Sequence, residues 1–125
     1  MQRGELLDGT WEFIGKEVYL LSAKEWVNHE DYVEGMRWQF CLNFAANRYE
    51  QGVIIETSPN GERVEMEYIY NNERQRLTVD IEIQDIYKVI PSLYNTSLNS
   101  IIRLKLLSDD ASASSMRYIL RRVNN

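Results

Sequence analysis

The sequence predicts an all-β chain that folds as an antiparallel up-and-down β-barrel of about eight strands, with a short helix near residues 23–33. Three observations predict it. From Met36 onward, apolar and polar side chains alternate in the manner of half-buried strands. Turn residues separate these runs, most clearly Ser58-Pro59-Asn60-Gly61, where proline pre-sets its φ and Asn-Gly accepts the positive φ of a tight hairpin. Finally, Leu7-Asp8-Gly9-Thr10-Trp11-Glu12-Phe13 leads from an isolated glycine straight into a strand whose Trp11 and Phe13 face one way.

Composition agrees. The 125 residues read as one domain, 1–125, long enough to bury about two thirds of the unfolded surface without disulfides. Fourteen aromatic residues, eight of them Tyr, against two Pro and six Gly favour sheet over disorder. The lone Cys41 sits in an apolar, aromatic run and reads as an ordinary strand residue, which leaves no internal disulfide. A net charge of −5 disfavours a nucleic-acid partner, because phosphate binding needs a concentrated basic face. The local cluster Arg117, Arg121 and Arg122 fits barrel closure or edge solubility better than a phosphate site. No apolar run approaches the roughly 20 residues of a membrane span, and the first residues lack the apolar core of a signal peptide. The expected location is the cytoplasm, or the periplasm or exterior if an upstream signal has been removed. Membrane association is expected only through an anchor upstream of Met1.

Taken in order, the first strand, 11–21, alternates imperfectly, with Gly15 where it would bend or bulge. Ser22-Ala23-Lys24-Glu25 matches a capping box, and Trp26, His29 or Glu30, and Val33 follow at helical spacing, which gives the helix over 23–33. Trp38, Phe40, Leu42 and Phe44 share the apolar face of the next strand. Tyr49, Val53 and Ile55 take one face of its partner, 49–57, and Gly52 marks a second bulge. Val64, Met66, Tyr68 and Tyr70 alternate with Glu65, Glu67 and Ile69 until Asn71-Asn72-Glu73-Arg74 breaks the run. Leu77, Val79, Ile81 and Ile83 against Thr78, Asp80 and Glu82 form the cleanest alternation. Shorter strands follow at 86–89, 101–107 and 115–123, the last two separated by a polar run, 108–114, that reads as a mobile loop. Hairpin-length connections impose antiparallel order, and an open two-sheet sandwich is the alternative to a closed barrel.

Gly9-Thr10-Trp11, the aromatic strand from Trp38 to Phe44, Tyr68-x-Tyr70, Tyr87-x-Val89 with Leu93, and Tyr118-x-Leu120-x-Arg122 resemble, in order and spacing, the small bacterial lipocalin-like domains of the calycin type. The resemblance spans nearly the whole chain. It implies a lipocalin-like barrel in which Trp11 plugs one end beside Gly9, while a basic residue of the last strand lies across the indole. Arg122 shares parity with Tyr118 and Leu120 and is the first choice for that role; Arg121 is the second. The second lipocalin motif is not recognisable, and no cysteine pair ties down the C-terminus.

The sequence supplies no catalytic constellation, metal set or phosphate loop, so the expectation is a protein without enzymatic activity, cofactor or metal. His29 with Glu25, Glu30 and Asp31 lacks metal-site spacing and reads as a solvated face. The pairs Glu65 with Glu67 and Asp80 with Glu82 read as the wet side of a sheet rather than acid/base pairs. Asn95-Thr96-Ser97 matches a glycosylation sequon that chance often produces. Functional content lies in the aromatic stripe of Trp38, Phe40, Tyr49, Tyr68, Tyr70, Tyr87 and Tyr118, placed on inward faces, where it either fills the barrel or lines a ligand cavity. Two functions stay open. One is a noncatalytic barrel holding a small hydrophobic or amphipathic ligand under a lid formed by residues 22–35. The other is a packed structural module that meets a protein partner in the bacterial cell envelope, where the resemblance places such domains.

Overall fold

A computed structural model describes residues 7–46, 48–80, 85–91, 101–107 and 115–123. Nine strands run in chain order: β1 (Gly9–Leu20), β2 (Glu25–Asn28), β3 (Arg37–Ala45), β4 (Tyr49–Thr57), β5 (Arg63–Asn71), β6 (Arg76–Val79), β7 (Asp85–Pro91), β8 (Ile101–Leu107) and β9 (Met116–Arg122). Every pairing is antiparallel. From β3 onward each strand pairs with the next, and β9 returns to β1, so β1 and β3–β9 close an eight-stranded barrel. The expected barrel therefore forms, and the β1–β9 pairing rules out the open sandwich.

The helix expected over 23–33 does not form. Among the described residues there is no helix, and Glu25–Asn28 instead makes β2, an extra strand paired to the far half of β1. Tertiary contacts override the local capping signal. Trp26 pairs with Tyr19, its ring edge-on at 5.4 Å. The Arg117 guanidinium sits 4.0 Å from the centre of the Trp26 ring. Lys24, at φ +55°, turns the chain back with its amide donating to the Leu20 carbonyl at 2.7 Å.

The first half of β1 pairs with β3 and the second half with β2, on the same edge. Residues 29–36 bridge the gap. The His29 amide donates to the Lys16 carbonyl, the Phe13 amide to the Met36 carbonyl, and the Tyr32 hydroxyl to the Ile14 carbonyl at 3.0 Å. These contacts satisfy backbone groups of β1 between its two partner strands. The bend foreseen at Gly15 is a bulge between Phe13 and Gly15, where the strand switches from the lower to the upper half of the barrel. The Pro-Asn-Gly signal delivers its hairpin: the Gly61 amide donates to the Ser58 carbonyl at 2.9 Å, with Gly61 at φ +92°.

Inside the barrel, Leu7, Trp11, Phe13, Phe40, Ile54, Tyr68, Tyr70, Leu77, Val89, Ile102, Leu104 and Leu120 are all but sealed from solvent. Each fully buried aliphatic side chain contributes about 1.5–3 kcal/mol. Two sequence expectations fail on this point. Tyr49 points outward and is 48% exposed, and Val53 and Ile55 share its outward parity. The inward face of β4 is instead Glu50, Gly52, Ile54 and Glu56. Phe44, expected inward, is 57% exposed, because β3 bulges between Leu42 and Phe44 and flips the parity of its last residues. Val64 lies exposed at the end of β5. Ile81, Glu82, Ile83, Leu93, the 95–97 sequon and the 108–114 run lie outside the described residues.

Candidate functional site

With the start of β1 taken as the lower end, strand direction sorts the interior into a sealed base and an upper collar. At the base, Trp11 is fully buried and its Nε1 donates to the Leu7 carbonyl at 2.8 Å. The Arg122 guanidinium lies 4.4 Å from the indole centre, and its Nη1 donates to the Asp8 carbonyl at 2.7 Å. This is the arrangement expected of Trp11 and Arg122; Arg121 faces outward and pairs with Glu12 at 3.2 Å. Gly9 completes the base. It holds φ +116°, and a Cβ there would stand 2.8 Å from Arg122 Nη1, so only glycine admits both the backbone and the arginine.

Above the base, rings meet edge to face in one connected series. Phe40 and Tyr68 lie 5.1 Å apart, Trp38 and Phe40 6.1 Å, Phe13 and Trp38 5.0 Å, and Phe13 and Tyr118 5.4 Å, with Tyr87 branching from Trp38 at 6.4 Å. Such pairs add about 0.5–1.5 kcal/mol each beyond burial. Of the seven aromatics proposed as lining, the fold brings Trp38, Phe40, Tyr68, Tyr87 and Tyr118 into this series. Tyr70 is also buried and lies lower, and Tyr49 is outside the barrel.

The structure adds two carboxylates that the sequence reading placed on neither face. Glu50 is 2% exposed among the lower rings, with Asn72 Nδ2 donating to its Oε2 at 3.5 Å. Glu56 Oε1 accepts from Trp38 Nε1 at 2.9 Å in the upper half. Burial pushes Tyr70 up to about 12, helped by the Glu50 charge. Burial also raises Tyr68, with Glu50 next in effect, and Tyr87, with Asp85 next, while Tyr118 is raised by burial and then by Asp31 and Asp85. A raised phenol pKa favours the folded state below the ordinary value of about 10, and that stability disappears as the pH climbs through the folded value. We expect alkaline unfolding to set in above pH 10 and, for the Tyr70 share, to run to about 12. A spectrophotometric tyrosinate titration checks this: Tyr68, Tyr70, Tyr87 and Tyr118 should ionise late and together with unfolding, whereas simple early titration of every tyrosine would contradict it.

The upper end differs from the base. Tyr32, Met36, Met66, Leu106 and Tyr118 all lie toward it and pack on the core while staying only partly buried. Lys16 reaches the same region, its Nζ 5.8 Å from the Tyr118 ring centre and 3.8 Å from Asp31 Oδ2. Two concavities lie on the outer wall. One of 430 Å³ runs beside the β3 bulge, between Phe44, Val53, Glu67 and Ile69. The other, of 480 Å³, lies beside the Gly15 bulge and the 29–36 segment. His29 belongs to the second and accepts the Asp31 amide at Nδ1, 3.1 Å, a local turn contact. Among the described residues, no three His, Cys, Asp or Glu side chains are grouped to hold a metal ion.

Comparison with protein-family models, with curated proteins and with solved structures gave no match for this chain.

Proposed function

We propose that the protein is a noncatalytic, lipocalin-like binding barrel that takes a small hydrophobic or amphipathic molecule at its upper end. The observation that supports this is the asymmetry of the two ends. The base is closed by fully buried Trp11 under Arg122, whereas the upper collar of Tyr32, Met36, Met66, Leu106 and Tyr118 keeps apolar surface only partly covered. Apolar walls with a few polar groups are what small-molecule sites offer, and here Lys16 and Glu56 stand among the rings as orienting groups. The 29–36 segment, anchored by Tyr32 to β1, replaces the helical lid of the sequence reading.

The connected ring series favours a second reading, a packed module that meets a protein partner, with its location in the cell envelope or elsewhere a further proposal of the same resemblance. Uptake of an environment-sensitive apolar dye separates the two. On the binding reading the parent brightens the dye, and Tyr118→Ala weakens uptake severalfold while remaining folded. Tyr70→Ala, in the sealed part, should instead cost about 3 kcal/mol of stability. A parent that binds no dye would remove the binding reading and leave the packed module.

A further inference from the structure

Strand register gathers six of the fourteen basic residues of this acidic chain onto one wall. On β6–β9 the inward positions include Leu77, Tyr87, Val89, Leu104 and Leu120, so Arg76, Lys88, Arg103, Lys105, Arg117 and Arg121 all face outward. Four of them form a single transverse row of direct partners: Arg76 opposite Lys88, Lys88 opposite Lys105, and Lys105 opposite Arg117. Like charges directly opposite on adjacent strands destabilise a sheet, so such a row carries a cost.

Among the described residues, the ion pairs of this wall lie at its β1 edge. Glu17 takes Arg117 at 2.7 Å and Arg103 at 3.5 Å, and Glu12 takes Arg121 at 3.2 Å. Among the described residues, Arg76, Lys88 and Lys105 form no ion pair. Between the basic positions stand outward aliphatic residues, Ile86, Ile90, Ile101, Leu107 and Ile119, each only partly covered. The neighbouring strand β5, which pairs with β6, carries exposed Glu65 and Glu67, so the basic wall ends at an acidic strand.

We propose that the outer wall of β6–β9 docks on an anionic lipid surface. Charge complementarity calls for an anionic partner. The aliphatic side chains interleaved with the basic ones select a bilayer interface, which accepts cationic heads at the phosphates and apolar stems just below them. A nucleic acid would use the charges and leave the aliphatic positions without a role. Docked in this way, the acidic β5 strand borders the contact and limits it to β6–β9.

The test is flotation of the intact chain with vesicles of phosphatidylcholine alone and of phosphatidylcholine mixed with phosphatidylglycerol. The expected result is binding to the anionic vesicles only, weakened by salt. The double variant Arg76→Gln/Lys88→Gln changes two exposed side chains and should keep the parent's circular dichroism while lowering partition about thirtyfold, at about 1 kcal/mol per basic residue. Equal binding to both vesicles, no binding to either, an unchanged folded double variant, or an oligonucleotide bound as tightly as the anionic vesicles would each overturn it.

Discussion

Trp11→Ala should lower the stability of this barrel by about 3–5 kcal/mol, the range for removing a buried aromatic side chain. Three losses coincide at that position. The indole is fully buried, so a cavity is left beneath the strands. Its Nε1 donates to the Leu7 carbonyl, which is stranded without it. The Arg122 guanidinium lies over the ring and would be left above a void. Arg122→Met keeps an aliphatic cover but forfeits the cation and its hydrogen bond to Asp8, and should cost roughly 1–2 kcal/mol. In a denaturant titration both variants should shift the midpoint without changing the slope, since the surface exposed on unfolding is nearly the same. A Trp11→Ala protein that unfolds at the parent's midpoint would mean that the base is not what holds the barrel shut.

The base was legible through the lipocalin-like resemblance, which rests on a few side chains of distinctive kind: a glycine two residues before a tryptophan, and an arginine on the tyrosine and leucine parity of the last strand. The alternation over Val64–Tyr70 and Leu77–Val79 was legible because their polar faces contain Glu65, Glu67 and Thr78 and leave one reading. On β4 both parities carry apolar residues. Tyr49, Val53 and Ile55 outweighed Glu50, Gly52, Ile54 and Glu56 by composition, yet the pairing turns the second set inward. Nothing local announces that a glutamate faces the core; its environment is made by Asn72 and by rings from other strands. The helix over 23–33 failed likewise, because the partners that hold Trp26 in a strand, Tyr19 and Arg117, come from β1 and β9. The basic wall is a product of register and could not be read from one strand at a time. Arg117 and Arg121 were visible as neighbours in sequence, but Arg76, Lys88 and Lys105 join them only through three successive pairings.

The second large effect is expected at Gly52, where the neighbouring strands leave no room beside the backbone. Gly52 pairs with Leu42 on one side and Tyr68 on the other, next to the β3 bulge that carries the chain from Leu42 to Phe44. A Cβ at this position would overlap the Cys41 carbonyl oxygen and stand 2.9 Å from the Tyr68 ring. The ring could tilt, but the carbonyl is held in the β3–β4 ladder and cannot move without breaking it. Gly52→Ala should therefore cost about 3 kcal/mol, the upper part of the range for overpacking. Gly61→Ala makes the matching control: it has the same change in chain entropy and a φ of +92°, but no atom lies within 4 Å of the added carbon. Its cost should be only about 1–2 kcal/mol, that of a left-handed backbone with a side chain. Because the Tyr68 ring packs on Phe40, the Gly52 variant should also change the near-ultraviolet circular dichroism of the ring series, which Gly61→Ala should leave as in the parent. Equal stability of the two variants would show that the β3 bulge can relax to admit a methyl group, and that Gly52 serves backbone freedom rather than the close approach of three strands.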